Sequence, residues 1–196
     1  MKADAKVVLR QPLHHQFSQV TLESAGFASS VILPGHQVFI QEQPCFINSH
    51  HKNQIDIIVP DHLFAKDTTT LACSAIHGDP ISAPTLESFT LLIIDNALGA
   101  CLFYLKKYRR CFKGLVLIGS HDPFPFLPCP SKLIIEGLPP GVIAGIPLLE
   151  DWGIPHRLAS TQNVPGCFEG TAKVLADHWL RHQDKNESVV RQFFAS

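Results

Sequence analysis

Charge is scarce in this sequence of 196 residues, and neither sign is in excess. Charged residues make up 17% of the chain, against about 25% in an average globular protein. The 16 lysines and arginines face 17 aspartates and glutamates, which gives a formal net charge of −1 at pH 7. Because a nucleic-acid-binding protein needs a clustered basic surface to neutralise phosphates, this composition argues against nucleic acid as a partner.

Long apolar runs are absent as well. No stretch of roughly 18 apolar residues occurs, so we predict no membrane span. Apolar residues nonetheless make up 45% of the chain, which is typical of a globular protein and not of a disordered one. The opening residues, MKADAKVVLR, lack the apolar stretch of a signal peptide, and we therefore expect a cytoplasmic protein.

The cysteines lack the spacing of a local metal site. Six are present, at positions 45, 73, 101, 111, 129 and 167, and no two form a CxxC pair. In a cytosolic chain we expect reduced, mostly buried thiols, and we predict no metal site. Motifs of a P-loop, a G-x-S-x-G nucleophile and an HExxH zinc helix are also missing. The sequence alone therefore assigns no catalytic residue.

The first eighty-odd residues contain short β-branched or alternating runs separated by Pro, Gly, Asn, His and Ser. The five runs are Val7–Leu9, Gln19–Leu22, Gln37–Gln41, Ile55–Val59 and Thr69–Ser74. Such regular short strands indicate a small antiparallel barrel or sandwich.

From Phe89 onward, buried strands alternate with helices. Phe89–Ile94 and Gly114–Gly119 are continuous apolar runs, the pattern of strands covered on both faces. A predicted helix over Leu98–Arg110 separates them, and strand, helix and strand within about 30 residues form a βαβ unit of a parallel sheet.

The rest of the chain gives shorter signals. We predict a third strand at Lys132–Glu136, a short helix over Gly141–Trp152 with Pro147 in its first turn or at a kink, a strand at His156–Ala159, and a helix over Glu169–His182.

Several motifs resemble those of the ferredoxin–NAD(P) reductase-like proteins. They are Leu33–Ile40 (an L-x-x-G-Q-[YF]-[VF] strand), Gly78–Ile81 (G-D-x-[IVL]), the strands Phe89–Ile94 and Gly114–Gly119, and Gly166 with Gly170 (G-x-x-G). The nearest branches are the electron-transfer subunits of dihydroorotate dehydrogenase and the siderophore-interacting reductases. The resemblance implies a small antiparallel β-barrel in residues 1–84, which resembles the flavin domain, followed by a Rossmann-like parallel α/β domain in residues 85–196, which resembles the nucleotide-binding domain.

The same resemblance implies FAD or FMN, together with NAD(P), as cofactors. The family's R-x-[YF]-[ST] flavin motif falls on Pro44–Ser49, where Phe46 and Ser49 stand for the aromatic and hydroxyl members and no arginine is present. Its glycine-rich pyrophosphate loop falls on Asp95–Cys101, where Asp95, Asn96 and Gly99 are the candidate nucleotide-binding residues and only one glycine remains.

Two functions from different classes follow. The first is an oxidoreductase or electron-transfer subunit that works with a redox partner and has weakened flavin and nicotinamide motifs. The second is a cofactor-free, catalytically inactive adaptor or structural subunit of a larger assembly. Whether the chain is an enzyme is left open.

Exposed-looking apolar residues provide the candidate partner surface. Phe124 and Phe126 lie in a Pro-rich loop, which needs a surface to cover: the protein's own core or another chain. Trp152 is a candidate interface anchor. Phe193 and Phe194 near the C-terminus complete this set.

Overall fold

The computed structural model of the chain describes residues 2–85, 88–183 and 189–195. The chain divides into two compact units. One contains residues 1–81 and 98–107, and the other contains residues 82–97 and 108–196. The boundary between residues 84 and 85 remains a prediction.

The first unit is a closed antiparallel barrel of six strands. The strands are β1 (Lys2–Pro12), β2 (Phe17–Glu23), β3 (Gln37–Ile40), β4 (Gln43–His51), β5 (Gln54–Pro60) and β6 (Thr70–Ser74), in the order β1-β2-β5-β4-β3-β6 around the barrel. In β2 and β5 every second side chain is buried, as the strand period of two requires. Val20, Leu22, Ile55 and Ile57 thereby fill the barrel interior.

Strand β4 is the barrel element for which the sequence gives no pattern. Four consecutive residues, 45–48, are buried instead of every second one, and the register against β5 shifts between Ile47 and Ser49. A bulge of this kind breaks the period of two, and Pro44 and Asn48 are poor strand formers.

Two helices belong to the barrel unit. The first, α1 (Ala25–Ala28), is a single turn, and a 3-10 turn follows β5 at Asp61–Leu63. The second, α2 (Leu98–Tyr108), carries Lys106 and Lys107 in its last turn, and cations there suit the negative end of the helix dipole. Its Phe103 side chain joins the barrel core.

The second unit is built on a five-stranded parallel sheet. Its strands are β7 (Phe89–Asp95), β8 (Gly114–Ser120), β11 (His156–Ser160), β12 (Phe168–Glu169) and β13 (Val189–Ala195), in the order β12-β11-β8-β7-β13. β7 and β8 are almost fully buried. A closed antiparallel barrel with a parallel α/β sheet confirms the predicted fold class.

The remaining elements of the second unit are short. The strands β9 (Cys129–Pro130) and β10 (Ala144–Gly145) pair with each other, α3 spans Pro147–Asp151, and α4 spans Ala172–Leu180. Pro147 lies in the first turn of α3, where its missing N–H costs nothing. No helix in the described residues is long and apolar enough to cross a membrane.

The predicted strand at Lys132–Glu136 is wrong. The segment consists of bends and turns, and Ile134 is 93% exposed. The backbone groups of this segment bind side chains instead of a sheet: the Lys132 N–H donates to Glu150 at 3.0 Å, and the Leu133 carbonyl accepts from Arg157. The third long strand of the sheet is β11.

Two predicted helices are shorter than their sequence patterns. In the range Gly141–Trp152 only α3 is helical, because the N–H groups of Ile143 and Ala144 donate to the Gly166 carbonyl. The predicted helix Glu169–His182 begins at Ala172, where the Thr171 hydroxyl accepts from the Val174 N–H as an N-cap.

Candidate functional site

The predicted nucleotide loop follows β7, and its side chains bind other loops of their own unit. Asp95 is 9% exposed, and its Oδ1 accepts a 2.9 Å hydrogen bond from the Ala172 N–H at the start of α4. Asn96 adopts a left-handed backbone with φ of 53°. Its Oδ1 accepts from the His121 N–H at 2.9 Å. Both side chains thus hold loop backbone in place, and neither is directed at a free ligand.

The N-terminus of α4, which Asp95 contacts, does not fit a pyrophosphate. Helix N-termini attract anions because their first N–H groups lack partners. At α4, the Asp95 carboxylate and the Thr171 hydroxyl already accept from two of these groups. A phosphate there would meet a carboxylate of like charge.

Gly99 serves close packing within the barrel unit. A Cβ at this position would lie 2.6 Å from the Phe46 carbonyl oxygen and 3.1 Å from the Phe46 Cβ. A glycine is therefore needed where α2 passes strand β4. Its role in nucleotide binding remains a prediction.

The predicted flavin residues lie on β4. Phe46 is 8% exposed. The Ser49 hydroxyl donates to Asp56, whose other carboxylate oxygen accepts from Thr21 at 2.6 Å. Ser49 is thus part of a network that links β4, β5 and β2. Asn48 is 2% exposed, and its side-chain oxygen has no hydrogen-bond partner among the described residues.

A cavity of about 710 Å³ lies in the barrel unit, and none of the predicted site residues lines it. Its walls come from β3, the β3–β4 turn, the segment before β6, and β6 with its following loop. They are Phe39, Ile40, Gln41, Glu42, Phe64, Ala65, Thr68, Thr70, Leu71, Ala72, Ser74 and His77. This volume is in the range of sites that hold a small organic ligand.

The cavity exists because β3 and β6 hardly pair. Ile40 opposite Cys73 is the one pair in their register, and a separate bridge joins Gln37 to His77. Pairing between distant strands leaves no trace in local sequence, which explains why sequence reasoning missed this site. The turn between β3 and β4 cannot be recognised from its residues either. Gln41 and Glu42 have positive φ values of 48° and 68°, and such values are usually found at Asn or Gly.

Aromatic rings and hydroxyl groups dominate the chemistry of the cavity. The Phe39 and His77 rings meet edge to face, with centroids 5.7 Å apart. The Arg10 guanidinium lies 4.6 Å from the centroid of the Phe64 ring. Ser74 Oγ accepts from the Phe39 N–H at 2.9 Å and so fixes the wall.

Arg10 is itself part of an ion pair beside the cavity. Its Nη2 donates to Asp61 at 2.9 Å, and its Nε donates to the Ser18 hydroxyl at 3.1 Å. The Ser18 hydroxyl and then the Arg10 guanidinium lower the pKa of Asp61 below its usual value. The pair holds the Arg10 guanidinium over Phe64.

The cavity fits the ring system of a flavin and does not fit its phosphate. A planar ring system matches aromatic walls and hydroxyl groups. A phosphate needs Arg, Lys or clustered N–H donors, and the residues that line the cavity include the carboxylate Glu42 and no lysine or arginine.

The candidate partner residues are spread over the second unit. Phe124 is 3% exposed, and the partly buried Phe126 packs against it, with ring centroids 5.1 Å apart and the planes tilted by 30°. Trp152 is half-buried, with the Arg109 guanidinium 5.1 Å from its ring centroid. Phe193 and Phe194 lie on the edge strand β13, and Phe193 is 54% exposed. Partner binding by these residues remains a prediction.

None of the six cysteines forms a disulfide. Burial raises the pKa of Cys45 to about 12 and that of Cys167 to about 11. Thiols with such values are protonated at neutral pH, so they are poor nucleophiles.

A buried histidine in β11 has a structural role. The His156 Nε2 accepts from the Ile146 N–H at 2.6 Å, and its Nδ1 faces the Ile154 carbonyl at 2.7 Å. Both ring nitrogens are therefore occupied in the neutral form, which leaves neither for acid–base chemistry. Burial lowers the pKa of His156 below 6.5.

This lowered pKa makes the protein less stable in mild acid. The pKa of His156 is lower in the folded state than the value of 6.5 in the unfolded state. The contribution of His156 to stability is therefore complete above pH 6.5 and declines as the pH falls toward the folded-state pKa. We expect the free energy of unfolding to fall below pH 6.5 with a slope approaching about 1.4 kcal/mol per pH unit. Urea denaturation from about pH 7 to about pH 5.5 measures this slope, before carboxylates titrate.

The variant H156Q should lower the slope clearly, because glutamine cannot gain a proton. The slope that remains includes His36, whose pKa burial also lowers. The exposed His62 gives a matched control for replacing a histidine with glutamine, and H156Q should lower the slope more than H62Q does. An H156Q protein with the wild-type slope would contradict the assignment.

Comparisons with known proteins agree with this architecture. No family model matches the sequence, and no curated protein matches it. The siderophore-interacting protein from Acinetobacter baumannii has a similar structure, with a TM-score of 0.60 and 13% identity, covering 100% of this chain and 77% of that one. The FAD/NAD-binding domain of nitric oxide dioxygenase from Vibrio cholerae has a TM-score of 0.60 and 12% identity, covering 98% of each chain.

A third similar structure is phthalate dioxygenase reductase, a modular protein for electron transfer from pyridine nucleotides to [2Fe-2S]. Its TM-score is 0.54 at 9% identity, covering 98% of this chain and 68% of that one. Identities this low establish a common fold and not a common activity. The chain has the fold of the ferredoxin–NAD(P) reductase-like proteins, as the sequence resemblance predicted.

Proposed function

We propose that this protein is an electron-transfer protein that holds a flavin ring in its barrel cavity and exchanges electrons with a redox partner. The observation that carries the proposal is the cavity of about 710 Å³ with the aromatic walls Phe39, Phe64 and His77. The fold supports it, because the similar proteins include reductases that transfer electrons.

The residues of the cavity would bind and orient the ring. A bound flavin supplies the electron chemistry, since it can accept and release electrons. Phe39 and Phe64 offer apolar surface, and Thr68 and Thr70 offer hydroxyl groups to the polar edge of the ring.

The proposal does not place NAD(P) in the loop after β7. Asp95 and Asn96 are bonded to Ala172 and His121, and opening the buried Asp95 bond would leave the Ala172 N–H without a partner. In this proposal a separate reductase or donor protein supplies the electrons.

Ligand binding gives the direct test. Flavin absorbance bands in the purified protein, or a rise in melting temperature with FAD, FMN or riboflavin, would support the proposal. A ligand at 100 times its Kd adds about 2.7 kcal/mol to stability, which for a chain of this size raises Tm by roughly 5–11 °C. We expect no rise with NADH.

Two variants show whether binding occurs in the cavity. Ala72 lines the cavity, while Ala75 does not, and both are exposed. A72W should fill the cavity and abolish the flavin-induced shift, whereas A75W should keep it. Equal shifts in both variants would exclude this cavity as the site.

A second candidate function is a cofactor-free adaptor within a larger assembly. Its support is the set of exposed apolar side chains in the second unit, Leu127 at 58% and Ile134 at 93%. A colourless protein whose Tm is unchanged by any flavin would contradict the electron-transfer proposal and favour the adaptor.

A further inference from the structure

Strand β13 is an edge of the parallel sheet. Among the described residues its one neighbouring strand is β7, with which it pairs along its whole length from Val189 to Ala195. An edge strand carries unpaired backbone N–H and C=O groups on its outer side, where a further strand can pair. Arg191 is the one charged residue of β13, and Phe193 is 54% exposed. β13 therefore lacks the short length, the proline or the repeated charges that usually protect an edge from pairing.

The side chains of β13 alternate between the two faces of the sheet. Arg191 and Phe193 lie on the face that α4 covers, because the Lys173 Nζ of α4 is 5.9 Å from the centroid of the Phe193 ring. Gln192 lies on the opposite face. Its Nε2 donates to the Ser82 carbonyl at 3.1 Å, whereas its Oε1 is buried and has no hydrogen-bond partner in the described part of the chain. Native structures normally provide a partner for such an atom.

We propose that β13 pairs antiparallel with β13 of a second copy of this chain, about a twofold axis at Gln192, and so joins the two five-stranded sheets. Opposite residues of an antiparallel pair have their side chains on the same face, with Cβ atoms about 4.5–5.5 Å apart. Each Gln192 therefore faces the other at the axis. The second N–H of each Nε2 can donate to the Oε1 of the other copy while the bond to Ser82 is kept. The second copy thus supplies the donor that this oxygen lacks.

The same register places Arg191 opposite the second copy's Phe193. A guanidinium beside an aromatic ring makes a favourable cation–π contact, and the contact occurs twice because the pairing is symmetric. An axis at Arg191 would instead oppose two like charges, which is unfavourable. An axis at Phe193 would place Gln192 opposite Phe194 and leave the Gln192 Oε1 without a donor.

Helix α4 adds charges of both signs to this face. Lys173 and Asp177 are exposed and one turn apart, so they lie on one stripe of the helix. The helix runs antiparallel to β7, because its start bonds to the end of β7 and its last turn stacks on the start of β7. Asp177 is therefore level with Arg191 when Lys173 is level with Phe193. In the dimer the Phe193 ring lies between Lys173 and the second copy's Arg191, and that copy's Asp177 offsets part of the repulsion between the two cations.

Sedimentation velocity of the wild-type chain tests the dimer. The seven residues of β13 bury less surface than the roughly 1,600 Å² of a standard interface, so we expect a weak dimer with a Kd on the order of 10 µM. Between about 1 and about 200 µM protein, the species should change from the monomer of 21.7 kDa to twice that mass. A monomer at every concentration would overturn the proposal and leave this edge for a strand of another protein. Assembly beyond a dimer would also overturn it, because a twofold pairing is closed.

Charge variants test the register. F193K places a lysine opposite the second copy's Arg191 and should weaken dimerisation at least about tenfold. R191E combined with F193K converts both repulsive pairs into Glu–Lys pairs and should restore most of the dimer. L127K introduces a lysine at a side chain of the same unit that is 58% exposed, and it should keep the wild-type Kd. The substituted side chains are all exposed, so we expect each variant to fold, which circular dichroism checks.

The variants also define the results that would contradict the pairing. An F193K protein that dimerises like the wild type would overturn it, and so would an R191E/F193K protein as monomeric as F193K. None of these outcomes bears on the proposed function, because the cavity lies in the barrel unit and β13 in the other unit.

Discussion

Replacing Arg157 with leucine should lower the free energy of unfolding by about 3–5 kcal/mol, because three backbone carbonyls lose their donor and an unsatisfied buried acceptor costs about 1–3 kcal/mol. Arg157 is 5% exposed. Its guanidinium donates to the carbonyls of Val142 at 3.0 Å, His156 at 2.7 Å, and Leu133. Leucine would remove this donor from the buried carbonyls of Val142 and His156 and from the part-buried carbonyl of Leu133.

The effect should be specific to the donor geometry. R157K keeps the charge but cannot reach three carbonyls with a planar fork, so we expect it to recover only a minor part of the loss. R110L changes an exposed arginine of the same unit and should alter stability by less than about 0.5 kcal/mol. Equilibrium urea denaturation measures all three, and an R157L protein as stable as R110L would disprove the structural role of Arg157.

Gly119 is the second position where a small change should have a large effect. A Cβ there would lie 1.9 Å from Asp95 Oδ1 and 2.8 Å from the Ala172 nitrogen. Alanine would therefore displace Asp95 and break its hydrogen bond to Ala172. Overpacking costs about 1–3 kcal/mol and a lost buried bond about 1–3 kcal/mol, so we expect G119A to cost about 3 kcal/mol in total.

A double variant isolates the clash. D95A alone should destabilise the protein because the Ala172 N–H loses its acceptor. G119A combined with D95A should cost clearly less than the sum of the two, since the clashing oxygen is gone. Gly26 offers a control, because the nearest atom to its added Cβ is 3.8 Å away. Simple additivity of G119A and D95A would rule out the proposed contact.

The sequence predicted those parts of the fold that depend on local patterns. The runs at Ile55–Val59 and Phe89–Ile94 became strands, because β-branched and apolar residues of that spacing suit half-buried and fully buried strands. Pro147 began a helix as expected.

Elements that depend on distant partners could not be predicted in this way. Lys132–Glu136 has the composition of a strand, but Glu150 and Arg157 bind its backbone from 18 and 24 residues away. No local pattern reveals such bonds. Likewise, β4 carries a bulge that hides its period.

The candidate site, too, depends on contacts between residues that are distant in the sequence. Phe46 and Ser49 lie in β4, Asp95 ends β7 and Asn96 follows it. The side chains of Ser49, Asp95 and Asn96 are bonded to other parts of the chain, and cofactor binding by all four residues remains a prediction. The cavity residues Phe39, Phe64 and His77 are brought together by barrel closure across 38 residues of sequence, and only the folded chain shows their proximity.

The sparse pairing between β3 and β6 has a thermodynamic consequence for the barrel. Ile40 and Cys73 form the one residue pair in the register of β3 against β6. Separating these two strands, a boundary called the seam below, therefore breaks fewer backbone hydrogen bonds than separating any other neighbouring pair in the barrel. A molecule that contacts Phe39 on one side and Ala72 on the other would bridge the seam. Ligand binding and barrel opening are then linked equilibria, in which a bound molecule favours the closed state of the β3–β6 seam.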